Sequence, residues 1–115
     1  MDARATLQQS IGIETRGGGF TPLINRGSTL PTSASFIFST AEDNQPSVKV
    51  KVFRGEQALA SGNAQVGRFE ITGFTPTIAG LPQIQITFHV DEYQELTVSA
   101  IDLAGQRELS VARID

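Results

Sequence analysis

The stretch Ile84-Gln85-Ile86-Thr87-Phe88-His89-Val90 alternates apolar and polar side chains along its whole length. Two further stretches alternate in the same way, Val48-Lys49-Val50-Lys51-Val52 and Leu96-Thr97-Val98-Ser99. Because successive side chains of a β-strand point to opposite faces, each stretch places its apolar side chains on one face. No window of a dozen residues carries helical apolar spacing without an interrupting Gly or Pro. The sequence therefore predicts an all-β fold.

The composition favours the same fold class. Val, Ile and Thr together occupy 28 of the 115 positions, and there are seven Phe. β-Branched and aromatic side chains fit a pleated, half-buried surface better than a helix. A chain of this length supports one domain with a single core.

Eight strands are predicted at regular intervals, with short polar or Gly- and Pro-containing connections between them. This arrangement, with no intervening helices, is typical of a two-layer antiparallel β-sandwich. We expect residues 11–115 to form the sandwich and the weakly patterned residues 1–10 to form a loose arm. The predicted strands cover residues 10–16, 20–25, 34–40, 47–56, 67–73, 82–91, 95–102 and 106–114.

Charge and composition exclude several classes of protein. Nine Lys and Arg against twelve Asp and Glu give a net charge of −3, which argues against nucleic-acid binding through a basic face. No apolar run approaches the roughly 18 residues that a membrane helix needs, and no secretory signal pattern is visible. The absence of cysteine removes disulfides, thiol catalysis and Cys-ligated zinc. We therefore expect a cytoplasmic protein that binds neither membranes nor nucleic acids.

Three groups of residues are candidates for chemistry, and each has a simpler structural interpretation. His89 is the only histidine and stands on the polar side of its strand, where it has no companion ligands for a metal. Asp91, Glu92 and Glu95 lack calcium-loop spacing and are typical of a solvated turn. The glycines at 17–19 precede an extended segment rather than a helix, so a phosphate cradle is not expected. We expect no metal site and no enzymatic activity.

Several longer strings resemble the substrate-binding domain of the seventy-kilodalton heat-shock chaperones of the DnaK type. The first is Ile11-Gly12-Ile13-Glu14-Thr15-Arg16-Gly17-Gly18, and the most specific is Phe38-Ser39-Thr40-Ala41-Glu42-Asp43-Asn44-Gln45. Shorter strings follow in the family's order and spacing up to the C-terminus. They are Leu30-Pro31-Thr32, Arg54-Gly55-Glu56, Gly67-Arg68-Phe69, Gly80-Leu81-Pro82-Gln83-Ile84 and Leu96-Thr97-Val98-Ser99-Ala100.

The resemblance implies a chaperone domain, associated with the stress response, that grips an extended peptide in a channel between its upper loops. Its partners would be hydrophobic peptides and unfolded proteins. By position, the central pocket would be lined by Ile13, Phe38, Val48, Val50, Ile84 and Ile86. Main-chain groups around Thr15, Arg16, Ser39, Ala41 and Lys49 would hold the peptide backbone, with residues 16 and 41 forming an arch.

The chain also departs from the family's pattern. Neither the nucleotide-binding domain nor the helical lid has a counterpart in these residues, so we expect no cofactor here and ATP binding only in a separate domain of a longer parent. Ala79 stands where the DnaK type has a lid-latching arginine, while Asp43, a second latch position, is present. An open channel would also allow self-association, with a chain end such as Ala5–Gln9 or Leu109–Val111 entering a neighbour's channel.

Two questions stay open at the level of sequence. The apolar members of the predicted strands are suited equally to the space between two sheets and to a pocket between loops, because side-chain period does not separate these. The domain could also be a β-sandwich used for interaction or assembly, with a groove that no longer binds free peptides.

Overall fold

The computed structural model describes residues 5–114, and these form two antiparallel sheets packed face to face. The five-stranded sheet has the order β2-β1-β4-β5-β9, and the four-stranded sheet has the order β3-β6-β7-β8. This confirms the all-β, two-layer sandwich. The strands are β1 Ile11–Thr15, β2 Gly19–Ile24, β3 Thr32–Phe38, β4 Val48–Arg54, β5 Ala64–Thr72, β6 Ile84–Val90, β7 Leu96–Asp102, β8 Arg107–Glu108 and β9 Ser110–Arg113.

The alternating stretches behave as their patterns predict. In β6 the four apolar residues are buried, whereas His89 lies exposed on the outer face of its sheet. In β4 the valines point inward and Lys49 and Lys51 point to solvent. The apolar sets of both sheets meet in one core that includes Ile11, Val52 and Phe88. Burial of this shared surface holds the two layers together.

The last predicted strand, residues 106–114, is divided in two. β8 pairs with β7 in the four-stranded sheet, and β9 pairs with β5 in the five-stranded sheet. Leu109 lies between them, with its side chain buried in the core and its backbone N–H bonded to the Ala100 carbonyl 2.9 Å away. The chain therefore crosses from one layer to the other at Leu109, and nine strands result instead of eight.

The expectation of a loose N-terminal arm is wrong for residues 5–10. Leu7 is only 3% exposed and belongs to the core. Its N–H donates to the Ser28 carbonyl at 2.8 Å, and its carbonyl accepts from the Gly27 N–H at 2.8 Å. The pattern of residues 5–10 is too short to reveal this, because one buried leucine, a few backbone bonds and the bonds of Ser10 to Glu56 hold the segment. Residues 1–4 of the predicted arm lie outside the described residues.

The described residues contain one short helical turn and no membrane-spanning helix. A 3-10 helix at Ala60–Gly62 connects β4 to β5, where only a loop was predicted. Within residues 5–114 no helix is long and apolar enough to cross a membrane.

Candidate functional site

β1 and β4 separate from each other at one end of the five-stranded sheet. Their ladder pairs Ile11 with Arg54 and ends where Ile13 faces Val52. Beyond this point β1 continues along β2 as far as Thr15, while the start of β4 pairs only with β5. The side of β4 from Val48 to Lys51 that faces β1 therefore has no neighbouring strand within the described residues. Alternate residues of such a strand direct their N–H and C=O groups into the gap.

A cleft of about 500 Å³ opens at this gap. It lies between the end of β1, the end of β3, the connection from β3 to β4, and the first residues of β4. Its lining residues are Ile13, Glu14, Arg16, Phe38, Ser39, Ala41, Gln45, Val48, Lys49 and Val50.

The inner wall of the cleft is apolar. Ile13, Val48 and Val50 are buried residues of the core cluster, and Phe38 packs against that cluster while half-buried. These side chains are continuous with the core between the sheets. A hydrophobic side chain that entered the cleft would therefore contact core residues directly and lose its contact with water.

The mouth of the cleft is polar and charged. Arg16 on the β1–β2 turn and Ala41 on the β3–β4 connection are both exposed and line the cleft. Lys49 and Glu14 add one positive and one negative side chain. The Lys51 Nζ lies 3.6 Å from the Glu14 Oε1, so an ion pair spans the point at which the two strands separate.

Gln45 organises the connection that forms one side of the cleft. Its Oε1 accepts hydrogen bonds from the backbone N–H of Ala41 at 3.0 Å and of Glu42 at 3.2 Å. Its Nε2 donates to the Ser47 carbonyl at 2.7 Å. One amide side chain thus ties both ends of the segment from 41 to 47 together.

A second set of bonds joins this connection to the loop between β5 and β6. The Asp43 Oδ1 accepts from the Ala79 N–H at 2.8 Å, and the Asn44 N–H donates to the Thr77 carbonyl at 2.7 Å. The Gly80 N–H donates to the Thr40 carbonyl at 3.0 Å. The side chain of Asp43 therefore has a partner within this domain.

Most residues predicted for peptide binding line this one cleft. They are Ile13, Arg16, Phe38, Ser39, Ala41, Val48, Lys49 and Val50. Thr15 is exposed at the end of β1 and does not line the cleft. Whether these residues bind peptide stays a prediction.

Ile84 and Ile86 lie in the core and not in the cleft wall that was expected for them. Both are fully buried in β6, where they face Phe38 and Phe36 of β3 across the ladder. β6 is an inner strand of its sheet, so its inward side chains are covered by the opposite layer.

Two lining residues were not predicted, Glu14 and Gln45. Gln45 is the last residue of the family-specific segment 38–45. Its side chain bonds only to nearby backbone, and such a role produces no alternating or helical pattern in the sequence. Glu14 follows Ile13 directly, and an exposed glutamate at the end of a strand has the ordinary appearance of a surface residue.

Two acidic side chains outside the cleft accept hydrogen bonds that stabilise the fold. The hydroxyl of Ser10 and its backbone N–H both donate to the Glu56 carboxylate, and these bonds hold the pKa of Glu56 below its ordinary value. The Asp91 Oδ1 accepts from the N–H groups of Tyr93 and Glu95, as expected of a turn. In the described part of the chain no three His, Asp or Glu side chains are grouped so that they could hold a metal ion.

A second cleft, of about 350 Å³, lies at the opposite end of the molecule. It is lined by polar side chains that include Arg54, Gln65, Gln94 and Arg113. None of the residues predicted for peptide binding contributes to it. The cleft beside β4 is therefore the candidate site.

The chain matches a known protein family over nearly its whole length. The model of the family described as Hsp70 protein matches residues 5–113. The chain belongs to the Hsp70 family. The match begins at residue 5 and so includes the docked N-terminal segment as well as both sheets. Membership in the Hsp70 family suggests a chaperone function.

Proposed function

We propose that this Hsp70-family chain is a peptide-binding domain that holds extended hydrophobic segments of unfolded polypeptides. The observation that carries the proposal is the cleft beside Val48–Lys51, where the side of β4 that faces β1 pairs with no strand of the described residues and borders an apolar wall. An extended peptide lying along Val48–Lys51 would take the place of the missing strand. Its backbone would bond to β4, and one side chain would enter the cleft.

The expected affinity follows from these two contributions. Burial of a Leu-sized side chain contributes about 1.5–3 kcal/mol. Each backbone hydrogen bond adds about 0.5–1.5 kcal/mol, and ordering of the peptide and loss of its free motion oppose binding. We expect a dissociation constant on the order of 1 µM, which suits transient binding.

Selectivity should come from the side chain in the cleft. Backbone groups are the same in every sequence, so the hydrogen bonds to β4 favour no particular peptide. Ile13, Val48 and Val50 supply no charge or hydrogen-bond partner, and a charged side chain placed against them would lose its hydration. We expect peptides rich in Leu or Ile to bind and acidic peptides to bind poorly.

Val48→Phe tests the proposal directly. Val48 is 7% exposed and lines the cleft, so the added ring should occupy the space meant for the peptide side chain. We expect the affinity for a fluorescent Leu-rich heptapeptide to fall roughly 10- to 150-fold. Fluorescence anisotropy gives the dissociation constant, and thermal unfolding of the same samples gives the stability.

Val66→Phe is the matched control. Val66 is half-buried and lines the cleft at the opposite end, so the same added ring should leave peptide affinity unchanged. A Val48→Phe variant that melts much earlier yet binds the peptide normally would contradict the proposal. ATP should not change the affinity in either protein, because neither contribution to binding involves a nucleotide.

The alternative is an interaction or assembly module whose groove does not accept free peptides. Failure of the folded wild-type chain to bind any Leu- or Ile-rich peptide at about 1 mM would favour it, since that limit lies far above the expected dissociation constant.

A further inference from the structure

Within residues 5–114 the two sheets have four edge strands, and three of these carry features that disfavour pairing with another chain. β2 contains Pro22, which has no N–H to donate. β8 consists only of the charged pair Arg107 and Glu108. β9 is four residues long and ends in Arg113. Proline, charge and short length are the usual means by which edge strands avoid association.

β3, the fourth edge strand, has none of these features. Its seven residues, Thr32–Phe38, contain no proline and no charged side chain. Within the described part of the chain it forms a ladder with β6 alone, so no described strand pairs with the backbone groups on its other side. Ile37 is 61% exposed and Phe36 is 37% exposed. A long, uncharged edge with exposed apolar side chains is a surface suited to strand pairing.

We propose that the free edge of β3 binds the same edge of a second copy of this chain, giving a two-fold symmetric antiparallel dimer centred on Ser35. This inference does not rest on the proposed peptide binding, and Phe38 is the one residue of β3 that also lines the cleft. Pairing would join the two four-stranded sheets into one continuous sheet across the dimer.

The sequence of β3 is complementary to itself in this register. Its first half carries small side chains and its second half carries large ones, Phe36, Ile37 and Phe38. Antiparallel pairing about Ser35 sets Phe36 against Ala34 and Ile37 against Ser33. Directly opposed residues of paired strands contact each other, so each large side chain would pack against a small one across the seam.

The faces of the sheet agree with this register. Ala34 and Phe36 lie opposite the buried Phe88 and Ile86, so both belong to the core face. Ser33 and Ile37 belong to the outer face. A two-fold axis perpendicular to the sheet keeps the faces matched, and the proposed pairs join residues of the same face.

The register also brings no like charges together at its centre. Ser35 would face its own counterpart, and its hydroxyl lies 2.7 Å from that of Thr87 on the outer face. The positions next to it on β3 are Ala34 and Phe36, which are uncharged. A seam of one strand from each copy is small, so we expect a transient dimer with a dissociation constant of about 0.1–1 mM.

Sedimentation equilibrium of the 115-residue chain, from about 10 µM to about 1 mM, would measure the dimer. In Ser35→Lys two ammonium groups would oppose each other at the two-fold axis, and the dissociation constant should rise about five- to tenfold. Ser99→Lys is the matched control, because Ser99 is exposed on the same face but lies on β7, an inner strand. The control should dimerise like the wild type.

A mixture of two variants makes the test independent of folding defects. Ser35→Lys and Ser35→Glu should each be weakened alone, yet equal amounts of both should form a heterodimer at least as strong as the wild-type dimer. A wild type that stays monomeric at about 1 mM would overturn the proposal. A mixture of the two variants that forms no heterodimer would also overturn it. The same holds for a wild-type dimer that dissociates when a Leu-rich peptide is added, because dissociation by the peptide indicates a chain segment bound in the cleft.

Discussion

Val48 and Val50 each contact the core on one side and the cleft on the other, because among the described residues the start of β4 pairs only with β5. Val52, two residues further, is fully buried where β1 covers it. The same residue type in the same strand therefore has two different roles. Enlarging Val48 should affect binding, whereas the same change at Val52 would overpack the core.

Glu56 should make the stability of the fold depend on pH. Its carboxylate accepts bonds from Ser10, and its pKa is held below the ordinary value. A lowered pKa in the folded state means that the ionised carboxylate stabilises the fold at neutral pH. This contribution should be lost as the pH falls through the folded pKa. Glu56→Gln should therefore be less stable than wild type at pH 7, with a difference that shrinks towards acid.

Urea unfolding at a series of pH values would measure this difference. Glu108→Gln is the control, since Glu108 is an exposed residue of β8 without a hydrogen bond to Ser10. A Glu56→Gln variant whose deficit stays constant from pH 7 to strong acid would show that the ionised carboxylate is not the stabilising group.

The β1–β2 hairpin forms one side of the cleft, and its close packing depends on Gly12. A Cβ at this position would collide with the Thr21 carbonyl oxygen and lie 2.8 Å from ring atoms of Phe20. We expect Gly12→Ala to lower the free energy of unfolding by about 1–3 kcal/mol, because backbone cannot move aside cheaply.

Gly105→Ala serves as the comparison, because a Cβ at Gly105 would meet no atom within 4 Å. Its stability should stay within about 0.5 kcal/mol of wild type. Equal effects of the two substitutions in chemical denaturation would mean that the hairpin is not tightly packed around Gly12.

The connection between β3 and β4 should depend on Gln45 for its shape. Gln45→Ala removes the bonds to the Ala41 and Glu42 N–H groups and to the Ser47 carbonyl. A looser connection must be ordered when peptide binds, so we expect peptide affinity to fall about three- to tenfold. Calorimetric titration with the Leu-rich heptapeptide would measure the change.

Gln106→Ala is suited as its control. The Gln106 side chain also bonds to backbone, at the Leu103 carbonyl, but it lies in the β7–β8 turn and away from the cleft. Unchanged affinity in Gln45→Ala would show that the connection keeps its shape without the amide.

On the scale of the whole molecule, the segment before β1 is part of the folded domain. Leu7 is a core residue, and its neighbours bond to the β2–β3 connection and to Gln94 in the β6–β7 turn. We expect Leu7→Ala to cost about 2–5 kcal/mol of stability through the cavity it leaves. Leu59→Ala, at an exposed site, should stay within about 0.5 kcal/mol of wild type.

Chemical denaturation of both variants measures these values. A small effect at Leu7 would restore the expectation of a loose arm, and with it the possibility that Ala5–Gln9 enters a neighbour's cleft. In this fold the segment is already bound to its own domain, through the backbone of Leu7 and the carbonyl of Thr6.

The sequence was sufficient to predict the fold class and most strands. Period-two alternation in 48–52 and 84–90 is a local property, and it appears as alternate burial wherever a strand has one face on a core. The resemblance to the chaperone family located most lining residues of the cleft, because a motif is tied to its position in the fold. Neither the alternating pattern nor the family resemblance shows where β1 and β4 stop pairing.

The tertiary structure decided which of the predicted apolar residues reach the cleft. Val50 and Ile86 have the same kind of side chain in the same kind of pattern, yet Val50 lines the cleft and Ile86 is sealed in the core. The difference arises because the β1–β4 ladder stops at Ile13 and Val52, while β6 keeps a neighbour on each side. Strand pairing depends on residues far apart in the chain, so a local pattern of side chains does not reveal where a ladder ends.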